Sequence, residues 1–341
     1  MVGKEQSKVH IRSAYFYLTE RCTLRCAYCY FRDKRARDLP REVIIRSLDL
    51  MQGLSSGPGS FVISGGEPLL CWDQFRWLVA TLQRRFPGRH IHLQTNGTLL
   101  TPGRIAFIRR SGVSLEFGID GDKDVTVRHR CGLESAGYVK LVRNIRLCVA
   151  AGIKCGCTMT VHPEASGDML HQATFLKTLG LGSVDVTPAA FMPWTPGAVA
   201  QFRENYKMVI ADPSLRQVLL TSEDQEFIHP GVMDLSLHPP GHLLAGDAFL
   251  CLPEAQRSRS SLWALKTGDL RPEVLAFYQR AYSALHHRRT RVTYRDLVCC
   301  NFDLVNRIMG KEYINTTQIV ALMRFLTKMH WMMILKERRR A

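Results

Sequence analysis

No run in this 341-residue sequence reaches the roughly 18 uncharged apolar residues that a helix needs to cross a bilayer. The richest stretch, 319–335, is interrupted by Arg324, Lys328 and His330. The opening residues "MVGKEQSKVH" are polar, and no apolar run of signal-peptide length follows them. Both absences argue against a membrane span and for a cytoplasmic chain. There is no internal repeat, and no low-complexity tract beyond the basic end "KERRR". Acidic residues are scarce beside basic ones, 30 against 46, so the formal charge is +16. That surplus attracts anionic partners, whether nucleic acid, acidic polypeptide or an acidic electron donor, without choosing among them. Eleven cysteines, an odd number at irregular spacing, make no disulfide framework. They point instead to thiolate ligation or to buried thiols.

Short β-branched or aromatic runs alternate with longer amphipathic stretches, which is the pattern of parallel strands joined by crossover helices. Strands are predicted over 14–19, 61–64, 91–95, 115–119, 156–161 and 184–188, with helices over 40–54, 73–86, 102–111, 138–151, 168–179 and 198–211. The fold class is therefore α/β. Six βα units in about 200 residues predict a partial (β/α)6 version of the TIM barrel, with its active site at the carboxyl ends of the strands. Past Pro213 the alternation fails, and "IHPGVMDLSLHPPGH" reads as an irregular, proline-rich connection. The chain divides on this reading into an N-terminal tail (1–13), the barrel core (14–212) and a smaller α-rich extension (213–341).

Directly after the first strand, "YLTERCTLRCAYCYF" sets Cys22, Cys26 and Cys29 at CxxxCxxC spacing. Thiolates suit zinc or iron-sulfur clusters. Zinc would want a fourth protein ligand at short spacing, and no second CxxC or His pair follows. Three ligands on a four-iron cluster would leave one iron open for a substrate.

The stretch resembles the cluster loop of the radical SAM enzymes, and further segments extend the likeness. They are "ISGGEPLL" after the second strand, "LQTNGTLL" after the third and "FGIDGD" after the fourth, the last two resembling the peptide-modifying and sulfatase-maturing branch. The resemblance implies one [4Fe-4S] cluster on Cys22, Cys26 and Cys29, with S-adenosyl-L-methionine on its open iron. Tyr28 is then placed near the adenine, Gly65, Gly66, Glu67 and Pro68 on the methionine moiety, Thr95 and Asn96 on the ribose side, and Arg130 around the rest. Asp120 is the candidate acid or base beside the radical. Where that branch often carries His-Asp, this chain has Thr126 and Val127.

The branch also often carries a cysteine-rich extension, called SPASM, that holds auxiliary clusters. Here "LHPPGHLLAGDAFLC" keeps only its shape: with Gly241 aligned, Gly246 occupies the cysteine position and Cys251 is out of register. Later cysteines reduce to the adjacent pair Cys299 and Cys300. A degenerate extension without an auxiliary cluster is expected, with an irregular site on Cys251, Cys299 and Cys300 as the rival. His229, His238 and His242 sit in the proline-rich loop, where they could cap the barrel mouth and offer a general base. Cys71, Cys131, Cys148, Cys155 and Cys157 read as packing residues. The pattern Ile319, Leu322, Met323, Leu326, Met329, Met333 predicts a helix docked on the body.

The function implied is hydrogen abstraction from a peptide or protein by a 5'-deoxyadenosyl radical, as in the maturation of a ribosomally made precursor peptide. Only 13 residues precede the first strand, so a separate leader-peptide recognition protein is expected to deliver such a substrate. The basic surface suits an acidic flavodoxin or ferredoxin as donor. RNA or a small molecule as substrate is the alternative, and a nucleic-acid-binding protein with a structural cluster is a third. The basic runs hold few of the interleaved aromatics that RNA readers use.

Overall fold

In the computed structural model, residues 10–31, 34–54, 59–219, 232–245, 254–262, 269–286 and 316–338 are described. Six strands, β1 (His10–Tyr17), β2 (Ser60–Ser64), β3 (His90–Thr95), β4 (Ser114–Gly118), β5 (Cys155–Val161) and β6 (Ser183–Pro188), pair in sequence order and in parallel. Helices α1 (Arg41–Leu54), α2 (Trp72–Arg85), α3 (Pro102–Ser111), α4 (Lys123–His129), α5 (Ser135–Ala150), α6 (Met169–Lys177) and α7 (Pro196–Ala211) lie between or after them. This is the expected αβ alternation, with one addition. α4 is too short to show an amphipathic period, but Asp122 caps it by accepting from the Val125 amide at 3.1 Å.

Local chemistry explains where the crossovers begin and end. Thr101 caps α3 ahead of Pro102, and Gly112 ends that helix in the left-handed conformation at φ 64°. Thr195 ahead of Pro196 starts α7 in the same way. Alternation along each strand then divides the two sheet faces. Ala14, Phe16, Leu18, Phe61, Ile63, Leu93, Phe117, Cys157, Met159 and Val186 join the main core against the helices. Tyr15 and Tyr17 pack with Phe31 and Val62 on the other face. Along β3–β6 that inner face carries Gln94, Glu116, Thr158 and Asp185, a polar lining unlike the double-sided apolar strands of a fully covered parallel sheet.

The proline-rich segment differs from its expectation. Val232–His238 forms β7, which runs parallel to β1, and His242–Ala245 forms β8, antiparallel to β7. The sheet order is β6-β5-β4-β3-β2-β1-β7-β8. The physical reason is that β1, first in sequence, would otherwise be an unpaired edge. Pro239 and Pro240 sit only in the turn, where no ladder donor is needed. The remaining helices α8 (Pro213–Leu219), α9 (Glu254–Ser260), α10 (Pro272–His286) and α11 (Thr316–Arg338) follow. Ile319, Leu322, Met323 and Leu326 of α11 are buried, and Phe325 meets Tyr206 of α7 edge-on, so this helix docks as its spacing predicts. Among the described residues no helix is long and apolar enough to cross a membrane.

Candidate active site at the carboxyl ends of the strands

The cysteine loop, 18–31, leaves β1 at its carboxyl end, and two neighbours fix it. The Gly66 amide donates to the Thr19 carbonyl at 2.7 Å and the Glu67 amide to the Arg21 carbonyl at 2.8 Å. A Cβ on Gly66 would lie 2.1 Å from the Arg21 oxygen, and one on Gly65, at φ 148°, 2.7 Å from the Thr19 oxygen. Both glycines are needed because the β2 turn and the cysteine loop touch backbone to backbone. From the other side, the Arg25 amide donates to the Cys131 carbonyl at 2.7 Å and the Ala27 amide to the His129 carbonyl at 2.8 Å.

Cys22, Cys26 and Cys29 are free thiols, each half-buried. Burial pushes the Cys22 thiol up and the Cys26 thiol to about 11, although Arg130 opposes the second shift. Iron bound there would have to displace protons. The donor set fits a four-iron cluster. Among the described residues no three His, Cys, Asp or Glu side chains converge closely enough for a single ion, whereas a cluster takes one thiolate per iron and so accepts thiols held farther apart.

Glu67 is wholly buried. Its Oε1 accepts from the Leu69 amide at 3.0 Å and the Thr95 hydroxyl at 2.8 Å, and its Oε2 from the Asn96 amide at 2.8 Å. This carboxylate therefore ties the end of β2 to the end of β3; burial raises its pKa against those three bonds. Asn96 sends Nδ2 to the Thr23 hydroxyl at 2.9 Å and lies 3.9 Å from the Cys22 sulfur. Pro68 opens a short 3-10 turn, Pro68–Cys71, capped by Glu67.

Asp120, just past β4, is also buried. Its Oδ2 accepts from the Tyr28 hydroxyl at 2.5 Å and Arg130 Nε at 3.1 Å, and its Oδ1 from Arg130 Nη2 at 2.7 Å and the Thr160 amide at 3.0 Å. The Arg130 guanidinium lies 5.6 Å from the Tyr28 ring centre. It also fills the space over Gly118, where a Cβ would meet Nη1 at 2.3 Å. Burial pushes the Tyr28 hydroxyl well up, so it stays a donor. All four acceptor positions of Asp120 are taken, and the geometry makes it the anchor of Arg130 and Tyr28.

The structure thus gathers Cys22, Cys26, Cys29, Tyr28, Gly65, Gly66, Glu67, Pro68, Thr95, Asn96, Asp120 and Arg130 around one loop. Sequence reasoning missed His129 and His162, whose rings stack at 4.2 Å and 13° beside Asp120. The position of His162 directly after β5 was the available signal. The loop histidines behave otherwise than expected: His238 and His242 close the β7–β8 ladder and are buried, and His238 stacks on Tyr17 at 4.4 Å. The parallel pairing of β7 with β1 sets His238 beside Tyr17 at the carboxyl end of the sheet, fixed in a strand instead of a loop. Cys148, Cys155 and Cys157 are buried in the core, while Cys251, Cys299, Cys300 and His229 lie outside the described residues.

Residues 16–175 match the family described as the Radical SAM superfamily. The chain is 28% identical over 134 residues to the cysteine-type anaerobic sulfatase-maturating enzyme of Clostridium perfringens, covering 35% of this chain and 36% of that one. It is 35% identical over 108 residues to GTP 3',8-cyclase 2 of Mycobacterium bovis, covering 30% and 28%. The chain spans about a third of the length of these curated relatives. Among solved structures, Streptococcus suis SuiB bound to precursor peptide SuiA superposes with a TM-score of 0.56 at 13% identity, over 72% of this chain and 62% of that chain; this likeness concerns the fold.

Proposed function

We propose, from the premise that residues 16–175 form a radical SAM domain, that this protein is a radical S-adenosylmethionine enzyme abstracting hydrogen from a peptide or protein, as a maturase of a ribosomally made precursor. The observation that carries it is the docking of the Gly65-Gly66 turn onto the CxxxCxxC loop through the amides of Gly66 and Glu67. That contact joins the two motifs of the resemblance into one site. The relatives that mature sulfatases support a polypeptide substrate.

Cys22, Cys26 and Cys29 would hold the [4Fe-4S] cluster, and the glycine turn, Thr95, Asn96, Tyr28 and Arg130 would surround S-adenosyl-L-methionine. Together these two groups supply reductive cleavage of the sulfonium and removal of a hydrogen atom from carbon. The rest is the work of this chain's residues. Glu67 holds the β2 and β3 ends at fixed separation. Asp120 orients the Arg130 guanidinium and holds the Tyr28 ring through its hydroxyl, so that a cation is in place before any ligand arrives. The inner face, polar at Gln94, Glu116, Thr158 and Asp185, offers hydrogen bonds to a substrate backbone, while the core behind it excludes water. A separate recognition protein and an acidic flavodoxin or ferredoxin donor belong to the same proposal.

A small-molecule substrate is the second reading, favoured by the identity to the GTP cyclase. Anaerobic reconstitution of the wild-type chain and of a Cys22→Ala, Cys26→Ala, Cys29→Ala triple variant tests the proposal. The expected result is about four irons per chain and 5'-deoxyadenosine from S-adenosylmethionine and dithionite, both lost in the variant. Iron without deoxyadenosine overturns the enzymatic reading. Deoxyadenosine formation stimulated by a nucleotide and indifferent to peptides from neighbouring genes favours the second.

A further inference from the structure

His129, the last residue of α4, and His162, the residue after β5, are both more than nine-tenths buried. His162 Nδ1 accepts from the Glu164 amide at 3.3 Å, but His129 Nε2 is buried with no hydrogen-bond partner. A pair of rings that served only to fill space would be apolar, because a buried ring nitrogen left unpaired costs free energy. The pair's surroundings say what it does. The His129 carbonyl takes the Ala27 amide, between Cys26 and Cys29, and the Cys131 carbonyl takes the Arg25 amide. The residue between them, Arg130, is locked to Asp120. Residues 129–131 are therefore the wall against which the cysteine loop is registered, and the His162 ring is stacked flat on the first of them.

We propose that the His129–His162 stack is a positioning pair that holds residues 129–131 against the cysteine loop and so sets where Cys26 and Cys29 stand. His162 acts through His129, on which its ring is stacked. The stack is cohesive when at most one ring is charged, since two cations at this separation repel. Burial holds both rings below their ordinary pKa. His129 faces His162, Asp120, Glu164 and Arg128, and His162 faces His129, Glu164 and Asp120. At neutral pH the pair is accordingly uncharged, and acidification loosens it.

The consequence for iron rests on the radical SAM reading, but the contact itself does not. The test therefore has two arms: hydrogen exchange of the Ala27 amide in the iron-free protein, corrected for intrinsic rate, and iron release to a chelator from the reconstituted protein. In His162→Ala both rates should rise about tenfold at pH 7.5, the scale of outer-shell effects on metal sites. In the wild type Ala27 exchange should accelerate as the pH falls below about 6.5. His162→Phe, which keeps a ring but no second proton site, should match the wild type at pH 7.5, and its Ala27 exchange should stay flat on acidification. Wild-type exchange in His162→Ala overturns the proposal, as does a wild-type pH response in His162→Phe. If His162→Ala does not fold, the other two proteins decide. Expected exchange with no iron bound at all upholds the contact and counts against the cluster reading alone.

Discussion

Arg130 grips Asp120 with two donors, Nε at 3.1 Å to one oxygen and Nη2 at 2.7 Å to the other, and both side chains are buried. A guanidinium suits this role because its planar fork matches a carboxylate. Arg130→Lys keeps the charge but not the fork, and strands part of the Asp120 carboxylate. Breaking a buried pair costs about 3–5 kcal/mol, so the variant should unfold at clearly lower urea and form 5'-deoxyadenosine at least about tenfold more slowly. Wild-type unfolding in Arg130→Lys would show that one donor suffices.

Gly66 carries a steric demand that can be checked separately. A methyl group there would meet the Arg21 carbonyl at 2.1 Å and the Glu20 carbonyl at 2.8 Å, so the cysteine loop must move. Gly66→Ala should keep its helical circular dichroism yet retain under about a tenth of the reconstituted iron. Gly103→Ala, in α3 with nothing within 4 Å of its Cβ, is the control. It should gain up to about 1 kcal/mol, the usual advantage of Ala over Gly in a helix. Equal iron in both variants would contradict the docking of the two loops.

Glu67→Gln tests the brace between β2 and β3. The carboxylate accepts three bonds and donates none. A carboxamide must turn its NH2 group toward either the Asn96 amide or the Leu69 and Thr95 donors. Leaving buried donors without an acceptor costs about 1–3 kcal/mol each, readable as a lower urea midpoint at unchanged slope. A midpoint equal to the wild type would mean that the strand ends hold without this carboxylate.

Acid should destabilise the fold through a half-buried histidine, His92, and a buried one, His238. His92 is pushed down to about 4, first by burial and then by His90 and Lys154. Burial lowers His238 as well, with Arg257 and His242 adding to it. Below about pH 6.5 the unfolded chain binds protons that these rings refuse in the folded state, so stability falls with pH until the folded pKa is reached. Between pH 6.5 and 4 His92 alone should remove ~2 kcal/mol. Urea melts across that window should show His92→Asn with a shallower decline, and an unchanged slope would remove His92 from the account.

What the sequence by itself determined was the part of this protein written in local signals. Period-2 strands, capped helices such as Thr101–Pro102 and Thr195–Pro196, and the contiguous CxxxCxxC and Gly-Gly motifs are all properties of neighbours along the chain. They yielded the αβ alternation and the resemblance from which the site residues were named. Tertiary structure alone decided which of those residues act on one another. Asp120 and Arg130 lie ten positions apart with separate roles on paper, and become one ion pair because α4 folds Arg130 back over Gly118, which has no side chain to exclude it. The pairing of β7 with β1 was hidden because its register depends on a strand more than 200 residues away, and no local pattern encodes a partner so distant. The stack of His162 on His129 was hidden for the same reason. Each ring is an ordinary residue in its own segment, and only the parallel packing of β4 and β5 brings the two turns above them together.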